Sequence, residues 1–251
     1  MFKKIVATIE ARMNSSRLPG KVLTDIGGFT SLECQIRRLR RSKCIDEIIL
    51  ATTVNKSDDI LEEFSFLQNC KIFRGSEEDV LSRILGAANL IGGDLQVQIT
   101  GDCPLIDPRI VDLVIKTFIE EKSYDFVSNE VSRSYPIGLD CRVFPVSVLR
   151  KINKLCKDPI HRSHGSTYIY KGEGKKYFKI KNIKAPEALN NPDWRWTLDT
   201  AEDLEFLKKI PSHFKERIIE LSSEDLTDWL KENPQVLSIN RGVKQKNWQE
   251  G

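Results

Sequence analysis

The sequence predicts an α/β fold built on a largely parallel sheet covered on both faces. Three observations carry that prediction. Short, β-branched apolar runs alternate four times with longer runs whose apolar residues recur at helical spacing. The 251 residues, 40% hydrophobic and 30% charged, can bury a core without disulfide or metal staples. Residues suited to phosphate and metal chemistry fall directly after strand-like runs, where open α/β sheets bind their ligands.

The elements follow in order. "KKIVATI" (3–9) reads as a first strand and leads into the basic, small-residue loop "EARMNSSRLPGKVL" (10–23). "FTSLECQIRRLRRSK" (29–43) has helical spacing. Its basic end suits the C-terminal pole of a helix better than a nucleic-acid patch, because no aromatic platform interleaves it. "DEIILAT" (46–52), "CKIFR" (70–74), "LQVQIT" (95–100) and "YDFVSN" (124–129) read as strands. Between them "SDDILEEFSFLQN" (57–69), "EEDVLSRILGAANLI" (77–91) and "PRIVDLVIKTFIEE" (108–121) read as helices. Asp107 before Pro108 is a capped helix start, since Asp accepts from orphan amides and Pro suits the first helical position.

Beyond residue 130 the rhythm changes. "GLDCRVF" (138–144), "YFKIKNI" (177–183) and "WRWTLDT" (194–200) read as strands, with helices near 146–156 and 160–171. "TAEDLEFLKKI" (200–210) and "SSEDLTDWLKEN" (222–233) read as closing helices, each opened by Ser or Thr ahead of acids. With no repeat and no low-complexity linker, the expected division is one domain over 1–233. An insertion spans about 130–185, and a polar tail covers 234–251, of which "INRGVKQKNWQEG" (239–251) is expected to be loose.

Composition excludes several classes. A net charge of +3 does not argue for a nucleic-acid binder. Six scattered cysteines without a CxxC pair read as reduced thiols, pointing to a cytoplasmic protein. The apolar run of "MFKKIVATIEAR" is too short for a secretory leader, and no run reaches the roughly 18 residues of a membrane span.

Three places carry candidate chemistry. In the opening loop Arg12, Arg17 and Lys21, with Ser15, Ser16 and backbone amides, could neutralise a triphosphate. The loop is neither a Walker A motif nor GxGxxG. Its residues alone leave two readings open, a phosphate cradle or a solvated basic turn. In "QITGDCPLIDP", Gly101 permits a bend and Asp102 emerges at the ligand edge, as suits Mg²⁺ or a turn cap. In "WTLDTAEDL", Asp199 again follows a strand-like run, so it is a second metal candidate or a helix cap. His161, His164 and Tyr168 could share one helix face. His164 and Tyr168 suit substrate recognition or a structural polar role, and a zinc site lacks a third ligand.

Taken in order, "ARMNSSRLPGKVL", "FRGSEEDVLSR", "ITGDCPLIDP", "YPIGLDCRVF" and "WTLDTAEDL" resemble cytidylyltransferases of the spore-coat polysaccharide biosynthesis type. CMP-Kdo and CMP-sialic acid synthetases are more distant relatives. The resemblance covers about residues 4–210. It implies a Rossmann-like mixed sheet of the nucleotide-diphospho-sugar transferase type, usually dimeric. Through it Ala11, Arg12, Ser15, Ser16, Arg17, Lys21 and Asp102 are expected to hold the nucleotide. Arg12, Lys21 and Asp102 take catalytic roles, and Asp102 with Asp199 binds Mg²⁺. Arg74, Asp140, Arg142, His164 and Tyr168 fall in the acceptor region. The implied reaction is attack by a sugar or sugar-acid oxygen on the α-phosphate of CTP, with pyrophosphate leaving. No side chain announces itself as the general base. Use of GTP or another NTP, or an inactive nucleotide-binding homologue, are the alternatives.

The chain departs from the family pattern in two places. "RSHGSTYIY" stands where "REHVTPYIY" is typical, and "GLDCRVF" where "GLDVEVF" is typical. Two acids are lost and Arg142 is gained, which predicts a more cationic acceptor region and an acidic acceptor. Neither nucleic acid nor membrane is an expected partner.

Overall fold

The computed structural model describes residues 2–247. Its strands are β1 (Ile5–Glu10), β2 (Glu47–Thr53), β3 (Lys71–Gly75), β4 (Leu95–Thr100), β5 (Phe126–Ser128), β6 (Arg142–Pro145) and β7 (Ile180–Asn182). They form one sheet in the order β3-β2-β1-β4-β6-β5-β7. Every neighbour pair is parallel except those made by β6, which runs antiparallel to both β4 and β5. The sheet is therefore mixed and mostly parallel.

The helices α1 (Ser31–Leu39), α2 (Ile60–Leu67), α3 (Val80–Leu90) and α4 (Pro108–Glu120) supply the crossovers. Leu32 and Ile36 of α1 and Val111, Val114 and Ile115 of α4 bury one face with Ala7, Ile9, Val97 and Val143. The other face carries α3 and α5 (Val146–Leu155), whose Leu81, Ile84, Leu149 and Ile152 pack with Ile49, Phe126 and Phe144. The expected cap of α4 forms as read, with Asp107 accepting from the Arg109 amide. The basic end of α1 is structural. Buried Arg38 donates to the carbonyls of Ile106, Ile218 and Leu221, stitching α1 to the C-terminal third of the chain.

Three expectations need correction. "WRWTLDT" is not a strand, and only an isolated bridge joins Arg195 to Ile137. Its apolar alternation comes from a second core instead, where Trp196 and Leu198 pack with Tyr135, Leu139, Phe206 and Leu207. The backbone runs against Gly138 at φ +106, so close that a Cβ there would sit 2.7 Å from the Trp196 carbonyl.

The helix expected over 160–171 is two short ones, α6 (Pro159–Ser163) and α7 (Thr167–Tyr170), parted by Gly165 at φ +62. After α8 (Ala201–Phe214) and α9 (Ser223–Glu232), the expected polar tail opens with α10 (Pro234–Leu237), and the stretch expected to be loose is anchored at Asn240. Val236 is buried in the second core, and Asn240 is 1% exposed. Residues 248–251 of the expected tail lie outside the described residues. Among the described residues no helix is long and apolar enough to cross a membrane.

Candidate active site

After β1 the chain builds outward to β2 and β3, then returns to β4 on the other side of β1. The carboxyl ends of β1 and β4 therefore flank the switch point where an open α/β sheet binds ligands. Three segments converge there.

The first is the loop after β1. Asp58 is buried and accepts from the Met13 amide at 2.7 Å, as well as from the hydroxyls of Thr52 and Thr53. The Met13 carbonyl in turn accepts from the amides of Ser15 and Gly20, at 3.0 and 2.8 Å. Gly20 takes φ +71, a left-handed conformation open to glycine at little cost, and turns the chain so that Lys21 comes back toward the sheet.

The second segment leaves β4. The Gly101 amide donates to the Glu10 carbonyl at 2.8 Å, and a Cβ on Gly101 would stand 2.6 Å from that oxygen. Glycine is needed here for close approach of β4's exit to β1's, more than for a bend. Asp102 follows, fixed by a 2.6 Å hydrogen bond from the Thr100 hydroxyl. The third segment docks on it. The Leu198 amide and Thr197 hydroxyl both donate to the Asp102 carbonyl at 2.9 Å, which brings Asp199 alongside.

Lys21 closes the constellation. Its Nζ lies 3.0 Å from Asp102 Oδ2 and 2.8 Å from Asp199 Oδ1, so one ammonium bridges residues 81 and 178 positions away. Arg17 reaches the same Asp199 oxygen at 2.9 Å. Burial opposes the charge on Lys21, but the two carboxylates outweigh it and raise its pKa above 10.5. Burial likewise opposes ionisation of Asp102, yet Lys21 and the Thr100 hydroxyl prevail and hold it at about 2. The capping box of α8 fixes Asp199 from behind. Asp203 accepts from the Asp199 and Thr200 amides and pairs with buried Arg195.

The other expected residues are distributed more widely. Ala11 is buried beneath the loop, Ser15 is half-buried, and Ser16 is exposed. Arg12 pairs with Glu77 at 2.8 Å. Arg74 is committed to structure. It donates to the Thr53 and Asn55 carbonyls and pairs with Asp59 and Glu62, so it ties the segment after β2 to β3 instead of presenting itself to an acceptor.

Asp140 is held in two hydrogen bonds by Arg133, at 2.7 and 2.9 Å. Its burial outweighs that arginine and raises its pKa. Arg142 makes the same forked contact with Glu130, which also accepts from the Tyr170 hydroxyl. The gained Arg142 charge is thus neutralised locally, and the cationic acceptor region expected from it does not form. With the helix broken at Gly165, His164 ends α6 and does not share a face with Tyr168. It is the His161 ring that meets Tyr168, edge-on at 5.9 Å.

Two residues escaped sequence reading. Glu10, the last residue of β1, lies on the polar sheet row with Thr8, Gln96 and Gln98. It accepts from Gln98 at 3.0 Å, and burial raises its pKa to about 7. The alternation of polar residues in "ATIE" and "LQVQIT" was the available signal. Arg195, inside "WRWTLD", gave none, because its partner Asp203 becomes its neighbour only through the capping box.

Among the described residues no group of three or more His, Cys, Asp or Glu side chains is placed to hold a metal. Asp102 and Asp199 still fit Mg²⁺, which is commonly held by one or two carboxylates with water and phosphate completing its shell. Both already converge on a single cationic group.

A family model described as cytidylyltransferase matches residues 6–226. The chain is 32% identical over 236 residues to the spore coat polysaccharide biosynthesis protein SpsF of Bacillus subtilis, covering 92% of this chain and 95% of that protein. It is 26% identical over 239 residues to a 3-deoxy-manno-octulosonate cytidylyltransferase of Pelobacter propionicus, covering 88% and 91%. The solved structure of a cytidylyltransferase from Leptospira borgpetersenii superposes with a TM-score of 0.87 at 33% identity, covering 97% of this chain and 99% of that one.

Proposed function

The chain belongs to the cytidylyltransferase family, and from that premise we propose that it transfers CMP from CTP to a sugar or sugar acid, releasing pyrophosphate. The observation that carries this reading is the Lys21 ammonium bridging Asp102 and Asp199 at the β1/β4 switch point. Lys21 and Arg17 supply positive charge beside the carboxylates, where phosphate oxygens would lie. Mg²⁺ held by Asp102 and Asp199 would neutralise phosphate charge as it develops. Lys21 and Arg17 would then leave the aspartates for the triphosphate and stabilise the charge on the departing pyrophosphate. An acceptor oxygen that is already ionised needs no general base. The neighbouring Arg142–Glu130 and Arg133–Asp140 pairs leave each arginine matched by a carboxylate. The acceptor is therefore recognised by hydrogen bonds to fixed, paired groups more than by net positive charge.

The test is pyrophosphate release with each of the four NTPs, Mg²⁺ present or chelated, across a panel of neutral, phosphorylated and carboxylated sugars. CTP-dependent release that needs both Mg²⁺ and one class of acceptor is the expected result. Release with another NTP in preference to CTP would overturn the nucleotide assignment.

A further inference from the structure

The α8 capping box that fixes Asp199 belongs to a buried network that reaches residues 240 and 245. Arg195, 3% exposed, donates through Nε and Nη2 to the two Asp203 oxygens at 3.1 and 2.9 Å, and through Nη2 to Asp199 Oδ2 at 3.4 Å. Its remaining terminal nitrogen, Nη1, donates to Gln245 Oε1 at 2.6 Å. The Asn240 amide nitrogen donates at 2.9 Å both to the Arg195 carbonyl and to Asp203 Oδ1. Asp203 then accepts from the Asp199 and Thr200 amides, at 3.0 and 3.2 Å.

The segment carrying Asn240 and Gln245 thus grips Arg195 from two sides. Arg195 sets the carboxylate that orients Asp199. Both residues lie beyond residue 226, where the family match ends. Gln245 is exposed while the guanidinium it holds is buried, so the contact contributes little core area. What it supplies is direction. A planar guanidinium with all three nitrogens engaged is held on every side, whereas one released at Nη1 keeps only its fork on Asp203 to hold the long 3.4 Å contact with Asp199.

We propose that residues 240–245 form a C-terminal strap that positions Asp199 for the metal–triphosphate, with Asn240 and Gln245 acting through Arg195 and Asp203. They are positioning residues, not catalytic ones, and the proposal rests on the reading of Asp199 given above. The strap couples residues 240–245 to a site assembled from Arg17, Lys21, Asp102 and Asp199.

The test uses the full chain with Gln245→Ala and Gln245→Glu, because Glu keeps an acceptor for Nη1. Amide hydrogen exchange at Asp199 and Thr200 and affinity for Mn²⁺–CTP are read side by side. Loss of a hydrogen bond to a charged group predicts that Gln245→Ala speeds exchange at those amides and weakens Mn²⁺–CTP, each by about tenfold. Gln245→Glu should stay near wild type in both. Wild-type behaviour of Gln245→Ala, or equal losses in Ala and Glu variants, would overturn the strap. If the wild-type chain bound no Mn²⁺–CTP, the functional reading would fall, and amide exchange alone would decide the strap.

Discussion

Replacing Lys21 by Met removes the ammonium that bridges both aspartates, and its cost can be worked from the structure. The Lys21 side chain is 14% exposed, and those of Asp102 and Asp199 are 24% and 7% exposed. Removing one partner of a buried ion pair costs about 3–5 kcal/mol. Arg17 and Arg195 still contact Asp199, which argues for the lower end, about 3 kcal/mol. The Asp102 carboxyl points the same way: burial opposes its charge, but Lys21 holds it at about 2 in the folded chain against an ordinary 3.8, so the contact contributes stability to the folded state.

Because the folded value is depressed, that contribution is full above about pH 4 and drains away as pH falls toward 2. In Lys21→Met the burial of Asp102 is no longer opposed by its main counter-charge, so its pKa rises and ionisation becomes destabilising. The stability gap between wild type and variant should therefore open from small near pH 2 to about 3 kcal/mol by pH 6. Urea unfolding followed by circular dichroism at several pH values measures it. A gap that stays constant with pH would refute the claim that Lys21 and Asp102 are coupled in the way the geometry shows.

Further outcomes follow from other contacts. Glu10 is raised from 4.5 to about 7, so its ionisation costs stability as pH rises between those values; Glu10→Gln should match wild type near pH 4 and exceed it by about 3 kcal/mol at pH 8, read from urea midpoints. Gly101→Ala places a Cβ 2.6 Å from the Glu10 carbonyl and should cost about 2 kcal/mol while weakening nucleotide binding; an unchanged melting temperature would contradict the close approach. Arg142→Leu leaves Glu130 buried without its forked partner and should cost about 3 kcal/mol, most of it recovered in the Arg142→Leu, Glu130→Leu double variant.

Much of the fold could be read from the chain because its strands and crossover helices are local patterns. The runs at 95–100 and 108–121 carry their own periodicity, and Asp107–Pro108 its own cap. The misreadings arise where a local pattern serves a distant purpose. Alternating Trp194, Trp196 and Leu198 looked like a sheet strand but fill a second core against α8 and the 135–139 loop. Gly165 ended a helix that spacing alone had continued.

Lys21, Asp102 and Asp199, each singled out from loop chemistry and resemblance, come into contact in the fold, and Arg17 joins them. Arg12 was singled out for its charge and by resemblance, and Arg74 by resemblance alone; nearby carboxylates pair with both. Arg142 shows the same limit. Its sequence position predicted a cationic surface, and a glutamate 12 residues earlier, out of any helical spacing, neutralises it.

The most direct measurement is anomalous diffraction from crystals of the full chain grown with Mn²⁺ and CTP. The account predicts one Mn²⁺ peak within about 2.2 Å of carboxylate oxygens from both Asp102 and Asp199, with Lys21 turned from the aspartates onto the triphosphate. Bound CTP with the metal elsewhere, or with Lys21 still bridging the two aspartates, would contradict it.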